Sequence, residues 1–264
     1  MIVALTGASG FIGQALSRRL LASGHTVLPV KMREGQAVPE CDAAVHLAGE
    51  PVAQRWTDEA KRRIRESRVE GTRRVVSQLS ERTRVFVCGC ATGIYGSGFL
   101  ADVCREWEQA ADEAARPGRR VVKLRTGIVL GPGGGALERM LPAFRLGAGG
   151  RLGSGEQWMS WIHIDDVAGL IEFALNHECV EGPLDAAAPN PVTNAEFTRE
   201  LARALNRPAA VRVPAFVLRL IFGEMASVLL EGPRVLPAAA LEAGYRFRYP
   251  VLGPALREII AAIR

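Results

Sequence analysis

Short runs of apolar residues alternate, along the first half of the chain, with longer stretches whose apolar positions recur every three or four residues. Ile2–Thr6 is the first run and predicts a β-strand. In Phe11–Ala22 the apolar Ile12, Ala15, Leu16 and Leu20 fall on one side of a helix. Thr26–Val30 and Ala43–Leu47 predict two further strands, and a long amphipathic helix follows from about Asp58 to Leu79. A strand at Arg84–Cys88, a helix over Leu100–Ala115 and a strand at Val121–Leu124 continue the alternation. Strands and helices taking turns in this way predict βαβ units, and hence a parallel sheet covered on both faces.

The alternation ends after Gly131. Gly131-Pro132-Gly133-Gly134-Gly135 is a loop, followed by a helix over Ala136–Leu146. Arg151–Gly155 and Met159–His163 read as short strands and Val167–Leu175 as a helix. Thr193-Asn194-Ala195-Glu196 is a capping box opening a helix that runs to about Leu205. Proline-punctuated short elements finish the chain, and no sheet of comparable size is expected there. The boundary falls near 131, giving units over 1–131 and 132–264 whose segments are free to interleave.

Composition narrows the class. The chain has 264 residues, 48% hydrophobic and 23% charged, enough apolar surface to exclude a disordered or low-complexity protein. The net charge of +5 raises nucleic acid as a partner. Of the 33 basic residues, however, only Lys31, Lys61 and Lys123 are lysines, and the arginines are scattered among 28 acids. The densest cluster, Lys61-Arg62-Arg63 with Arg65 and Arg68, is interleaved with Glu59, Glu66 and Glu70 at helical spacing, which predicts a solvated helix face. No nucleic-acid partner is expected. Five cysteines without zinc-type spacing predict free thiols and no metal site. No signal peptide or uncharged membrane-length run is visible, so the expectation is a cytoplasmic protein with no membrane partner.

The sharpest chemical signal is Thr6-Gly7-Ala8-Ser9-Gly10-Phe11-Ile12-Gly13, which leaves the first strand and opens the first helix. Gly7 suits a tight turn, Gly10 a close backbone approach to a pyrophosphate, and Gly13 close packing of helix on sheet. Free N–H groups of Ser9, Phe11 and Ile12 and the positive end of the helix then face the phosphates. The spacing G-x-x-G-x-x-G predicts dinucleotide binding. The second strand ends in Lys31-Met32-Arg33 with no acid before Glu34, so a ribose 2′-phosphate would meet cations and no carboxylate. NADP(H) is therefore expected in preference to NAD(H).

These residues resemble the extended short-chain dehydrogenase/reductase superfamily. TGASGFIG is similar to its opening fingerprint, and Val45-His46-Leu47-Ala48-Gly49 to the strand end that lies along the cofactor's adenine and ribose. Trp161-Ile162-His163-Ile164-Asp165-Asp166-Val167-Ala168 resembles a segment of its substrate lobe. Within the superfamily the likeness is strongest to a branch of "epimerase family" proteins described as nucleotide-sugar epimerase-like. Further matches run from Arg65-Glu66-Ser67-Arg68 through Arg125-Thr126-Gly127 to Leu230-Glu231-Gly232. The resemblance implies an α/β fold: a Rossmann-type doubly wound parallel sheet, with a smaller C-terminal lobe for a small, or nucleotide-linked, substrate. It implies cofactor contacts at Leu47, Ala48 and Gly49, and at Arg68, where many members have Asn. A homodimer is compatible with it.

The chain also departs from the superfamily. The usual chemistry takes a tyrosine acid/base with a lysine four residues later. Tyr95, Tyr245 and Tyr249 are the only tyrosines, and none has lysine at that spacing. The stretches between Arg33 and Glu40 and between Tyr95 and Phe99 look short for the branch. Cys90-Ala91-Thr92-Gly93-Ile94-Tyr95 resembles the strand end beside the nicotinamide, leaving Thr92 and Tyr95 as candidate catalytic hydroxyls. Gln157, Trp158 and His163 are candidate substrate contacts, with Gly133–Gly135 as a pocket wall. The expected function is NAD(P)-dependent oxidoreductase or epimerase-like chemistry; the alternative is a non-catalytic NADP(H)-binding sensor or scaffold.

Overall fold

The computed structural model describes residues 1–263, the side chain of Arg33 apart. The alternating first half builds β1 (Ile2–Thr6), α1 (Phe11–Ala22), β2 (Thr26–Val30), β3 (Ala43–His46), α2 (Asp58–Val76), β4 (Val85–Ala91), α3 (Phe99–Asp112) and β5 (Arg120–Thr126). Then come β6 (Ile128–Leu130), α4 (Gly135–Arg145), β7 (Gly150–Leu152), β8 (Trp158–Met159), β9 (Trp161–His163), α5 (Ile164–Asn176) and β10 (Gly182–Ala186). The rest is β11 (Val192–Thr193), α6 (Asn194–Leu205), β12 (Val211–Val213), α7 (Ala215–Phe222), α8 (Ala226–Leu230), α9 (Ala238–Glu242) and α10 (Leu252–Ala262).

Six strands form one parallel sheet in the order β10-β5-β4-β3-β1-β2. The strand period of two splits their side chains between two cores. Val3, Leu5, Val45, Val87 and Leu124 face α1 and α5, packing on Leu16, Leu20, Leu170 and Ile171. Ala4, Ala44, Phe86, Cys88 and Cys90 face α2 and α3, against Val75, Trp107 and Ala111. Local signals set the helix starts: Thr57 accepts the Ala60 N–H at 3.2 Å to cap α2, and Thr193 with Glu196 forms the expected box on α6.

The sixth strand was not expected. β10 comes from the second half of the chain and pairs with β5, so the division at 131 is crossed by β9, α5 and β10. Pro183 lies within β10, which is tolerable because β10 is an edge strand with no partner on its far side. A third core gathers Leu137, Phe144, Trp161, Phe197, Leu256 and Ile259 from α4, β9, α6 and α10. Asp166 at the start of α5 ties the tail down, accepting the backbone N–H groups of Arg248 at 2.8 Å and Tyr249 at 2.9 Å. A small cluster of Trp56, Ile64, Met225, Phe99 and Leu100 joins the start of α2 and α3 to the α7–α8 segment.

Candidate cofactor and substrate site

The carboxyl ends of the parallel strands converge on the glycine turn. Gly7 has φ +72°, and a Cβ there would stand 2.8 Å from the Ala48 nitrogen and the Leu47 carbonyl carbon. A Cβ on Gly13 would overlap the Gly7 carbonyl oxygen. The Gly10 N–H closes the turn on that same oxygen at 2.9 Å. Gly10 then stands at the start of α1 without a side-chain cap, and the first turn of the helix has no acid. Its first N–H groups are left open at the positive end of the dipole. The turn is a cradle that any side chain at Gly7 or Gly13 would fill, and it fits a pyrophosphate. Ser9 belongs to this turn, and Phe11 and Ile12 open the helix that follows it.

Beneath the cradle the strand ends are polar. The Ala48 N–H donates to Thr6 Oγ1 at 3.3 Å, and the Thr6 hydroxyl shares a hydrogen bond of 2.6 Å with His46 Nδ1. His46 Nε2 is buried without a hydrogen-bond partner among the described residues. Burial, reinforced by the nearby Arg68 guanidinium, pushes the His46 pKa down to about 4. The imidazole is neutral at pH 7. Sequence reasoning assigned His46 no role of its own, because nothing local to VHLAG announces that its ring faces inward.

Arg68 crosses from α2 to this strand end and is 9% exposed. Its Nη1 donates to the Glu50 carbonyl at 2.9 Å and the Ile64 carbonyl at 3.2 Å. The guanidinium lies over the Trp107 ring at 5.0 Å, and a Cβ on Gly49 would be 3.5 Å from it. The expected trio of Leu47, Ala48 and Gly49 is therefore gathered with Arg68 and the glycine turn.

At the end of β4 the arrangement differs. Thr92 Oγ1 donates to the Thr126 carbonyl at 3.4 Å. The Tyr95 hydroxyl donates to Asp185 at 2.9 Å and accepts from Arg125 Nη1 at 2.7 Å, with the guanidinium 5.1 Å above its ring. Arg125 is also held bidentately by Glu108, at 2.6 and 2.8 Å. That pairing raises the arginine's pKa. Burial raises the pKa values of both Tyr95 and Asp185, so the phenol keeps its proton at neutral pH. Cys90 is buried and its pKa is pushed well up by burial, which makes it inert as a nucleophile.

The remaining expected residues are placed apart from the cradle's floor. Lys31 is exposed and paired with Glu34 at 3.1 Å, and Met32 packs at the edge of the Phe86 core. The side chain of Arg33 lies outside the described residues. Gln157 Nε2 ties the Leu152 and Leu229 carbonyls together at 3.1 and 2.9 Å, and Trp158 lies 5.1 Å beneath Arg234. His163 is buried, caps α5 by accepting the Asp165 N–H at 3.1 Å, and meets Glu258 at 3.2 Å. The Gly131–Gly135 loop packs on the Phe11 ring: a Cβ on Gly134 would lie 2.5 Å from it. Among the described residues no helix is long and apolar enough to cross a membrane.

The model of the NAD dependent epimerase/dehydratase family matches residues 3–183, and that of a domain of unknown function, DUF1731, matches 213–259. The chain is 39% identical to the chloroplastic epimerase family protein SDR39U1 homolog of Arabidopsis thaliana, over 98% of this chain and 87% of that protein. The crystal structure of human epimerase family protein SDR39U1 (isoform 2) with NADPH superposes with a TM-score of 0.93 at 36% identity, covering both chains fully. A nucleoside-diphosphate sugar epimerase from Corynebacterium glutamicum gives 0.78 at 31% identity, covering this chain fully and 59% of that one.

Proposed function

Since the chain belongs to the NAD dependent epimerase/dehydratase family and has its NAD(P)-binding fold, we propose that it is an NADP(H)-dependent oxidoreductase or epimerase-like enzyme acting on a small or nucleotide-linked substrate. The single observation that carries this reading is the Gly7–Gly13 cradle, closed to side chains and open to phosphate. The N–H groups of the turn would hold the pyrophosphate, Leu47–Gly49 the adenosine half, and Lys31 with Arg33 the 2′-phosphate. NADPH in the human relative supports the same choice of cofactor. A bound nicotinamide supplies a carbon that gives or takes hydride.

The chain's own groups supply the rest. Thr92 would orient a substrate oxygen. Tyr95 would donate its hydroxyl proton and take one back from water, to which the residue is half exposed. Gln157 and Trp158 would line the substrate side from the second half of the chain, with the buried His163 ring holding the start of α5 behind them. The five thiols, all free, suit a reducing compartment such as the cytoplasm.

One observation favours a second reading, a non-catalytic NADP(H) sensor. The Tyr95 hydroxyl is already committed to two partners, and α3 carries neither tyrosine nor lysine. Thermal-shift titration with NADPH, NADP, NADH and NAD tests the common premise. NADPH at ~100 times its dissociation constant should add about 2.7 kcal/mol to stability. No shift with any of the four nucleotides would end both readings. A shift without turnover on a panel of carbonyls and nucleotide sugars would select the sensor.

A further inference from the structure

Buried guanidinium groups in folded proteins are almost always neutralised, because moving an unpaired charge out of water costs several kcal/mol. Arg68 is buried and has no carboxylate within 4 Å among the described residues. It has five N–H donors, of which the two on Nη1 reach main-chain carbonyls. The Nε and Nη2 donors make no hydrogen bond among the described residues. The carboxylate that acts on it, Glu50, does so only from beyond ion-pair distance, and the other neighbouring titratable groups supply no negative charge. Burial holds the Cys104 thiol up at about 11 and Cys90 well above its usual value, while His46 is neutral.

The surroundings keep this cation both fixed and accessible. Trp107 covers one face of the fork and Gly49 leaves the other clear of any side chain. Cys104 leads on to the end of β4, since its sulfur would be 3.6 Å from a Cβ on Gly93. Trp56, Phe99, Leu100 and Met225 form an apolar wall over the start of α2 and α3. An apolar wall lowers the local dielectric and strengthens attraction between the guanidinium and an anion.

We propose that Arg68 is the receptor for an oxyanion, a carboxylate or phosphate group of the ligand, beside Gly49 at the carboxyl end of β3. The geometry suits a planar fork receiving two oxygens, a task lysine performs less well. The oxyanion comes either from the substrate or from the dinucleotide itself. This inference rests on the NADP(H) reading only for the identity of the neighbouring ligand.

Isothermal titration of wild type, R68K and R68M with oxalate, inorganic phosphate, 2′,5′-ADP and NADPH tests it. If the substrate brings the anion, oxalate or phosphate binds the wild type in the presence of NADP and binds R68M at least about tenfold more weakly. R68K falls between them, and both nucleotides bind all three proteins alike. If the dinucleotide brings it, NADPH weakens about tenfold in R68M, and 2′,5′-ADP weakens with it only where the phosphate is on the adenosine side. Unchanged affinity of R68M for all four probes overturns the proposal. So does a wild type that binds neither oxyanion, with NADPH unaffected in R68M. Should R68M fail to fold, Trp107 emission gives the answer on native protein: the oxyanion changes it in wild type, and the change disappears in W107F. No emission change beyond that of W107F, with R68K binding as wild type, also overturns it. Oxyanion binding lost in R68M, in a protein that binds no nucleotide, would sink the NADP(H) reading and leave the receptor standing.

Discussion

Two arginines lie at the carboxyl ends of the strands, both half or more withdrawn from water and both stacked on an aromatic ring. Arg125 is answered in full: Glu108 takes two of its donors, the Tyr95 hydroxyl takes a third, and Asp185 completes the cluster. Arg68 has hydrogen bonds to two carbonyls alone among the described residues, with the Glu50 carboxylate acting from beyond ion-pair distance. The first region is closed on itself and fixes α3, β5 and β10 to each other. The second has charge and donors to spare, beside the turn that the fold reserves for a dinucleotide. A saturated cation builds; an unsaturated one binds.

The strongest way to break this comparison is to open the closed region. Glu108→Gln leaves Arg125 partly buried without its counter-ion, which should cost about 3–5 kcal/mol. For a chain of this size that is a fall in melting temperature of about 10 °C. Removing the Arg68 charge in the ligand-free protein should cost far less, because no ion pair is lost. Equal losses for E108Q and R68M in calorimetry would mean that both arginines are structural.

Acid titration probes the open region next. A histidine whose folded pKa is about 4 and unfolded pKa about 6.5 is neutral when folded and takes up a proton on unfolding. Its contribution is fully present above pH 6.5 and is lost as pH falls toward 4, about 3 kcal/mol in all. His46→Gln should flatten that part of the stability curve. R68M should make the loss smaller and end it at a higher pH, since the arginine helps hold the ring neutral. A curve for H46Q that matches wild type between pH 4 and 6.5 would remove His46 from the site's electrostatics.

Tyr95→Phe then asks whether the closed cluster also does chemistry. The hydroxyl bonds are half exposed, so stability should fall by only about 1 kcal/mol. Turnover should fall about a hundredfold with nucleotide affinity unchanged, the loss typical of a missing proton donor. Full activity in Y95F would leave the tyrosine as a strut of the Arg125 cluster.

How much of this could be read from the residues depended on distance along the chain. The cradle was legible because Thr6–Gly13 is one local segment, in which strand, turn and helix start coincide. The parallel sheet was legible from the period of its strands. β10 was not: Gly182-Pro183 reads as a break, and only an edge position makes that proline admissible. The Arg125 cluster was hidden for a different reason, since its members are 17, 30 and 90 residues apart. His163 shows the converse. Its segment was recognisable, yet the ring's bonds to Asp165 and Glu258 are set by tertiary packing.

The smallest effect extends the comparison to a third kind of cation, one left in water. Lys31 is exposed and has Glu34 as its partner, so its pair contributes little to stability and is easily exchanged for another anion. A 2′-phosphate arriving at the end of β2 would compete with Glu34 for the ammonium group. Lys31→Glu and Arg33→Glu should each leave the melting temperature of the free protein within about 2 °C of wild type. Each should weaken NADPH about tenfold, roughly 1.4 kcal/mol, and leave NADH nearly unchanged. Raising salt should shrink the wild-type preference toward that of the variants, because an exposed contact is screened where the buried Arg68 is not. A preference for NADPH that survives both charge reversals would move its origin away from the end of β2, to the deeper strand ends around Arg68.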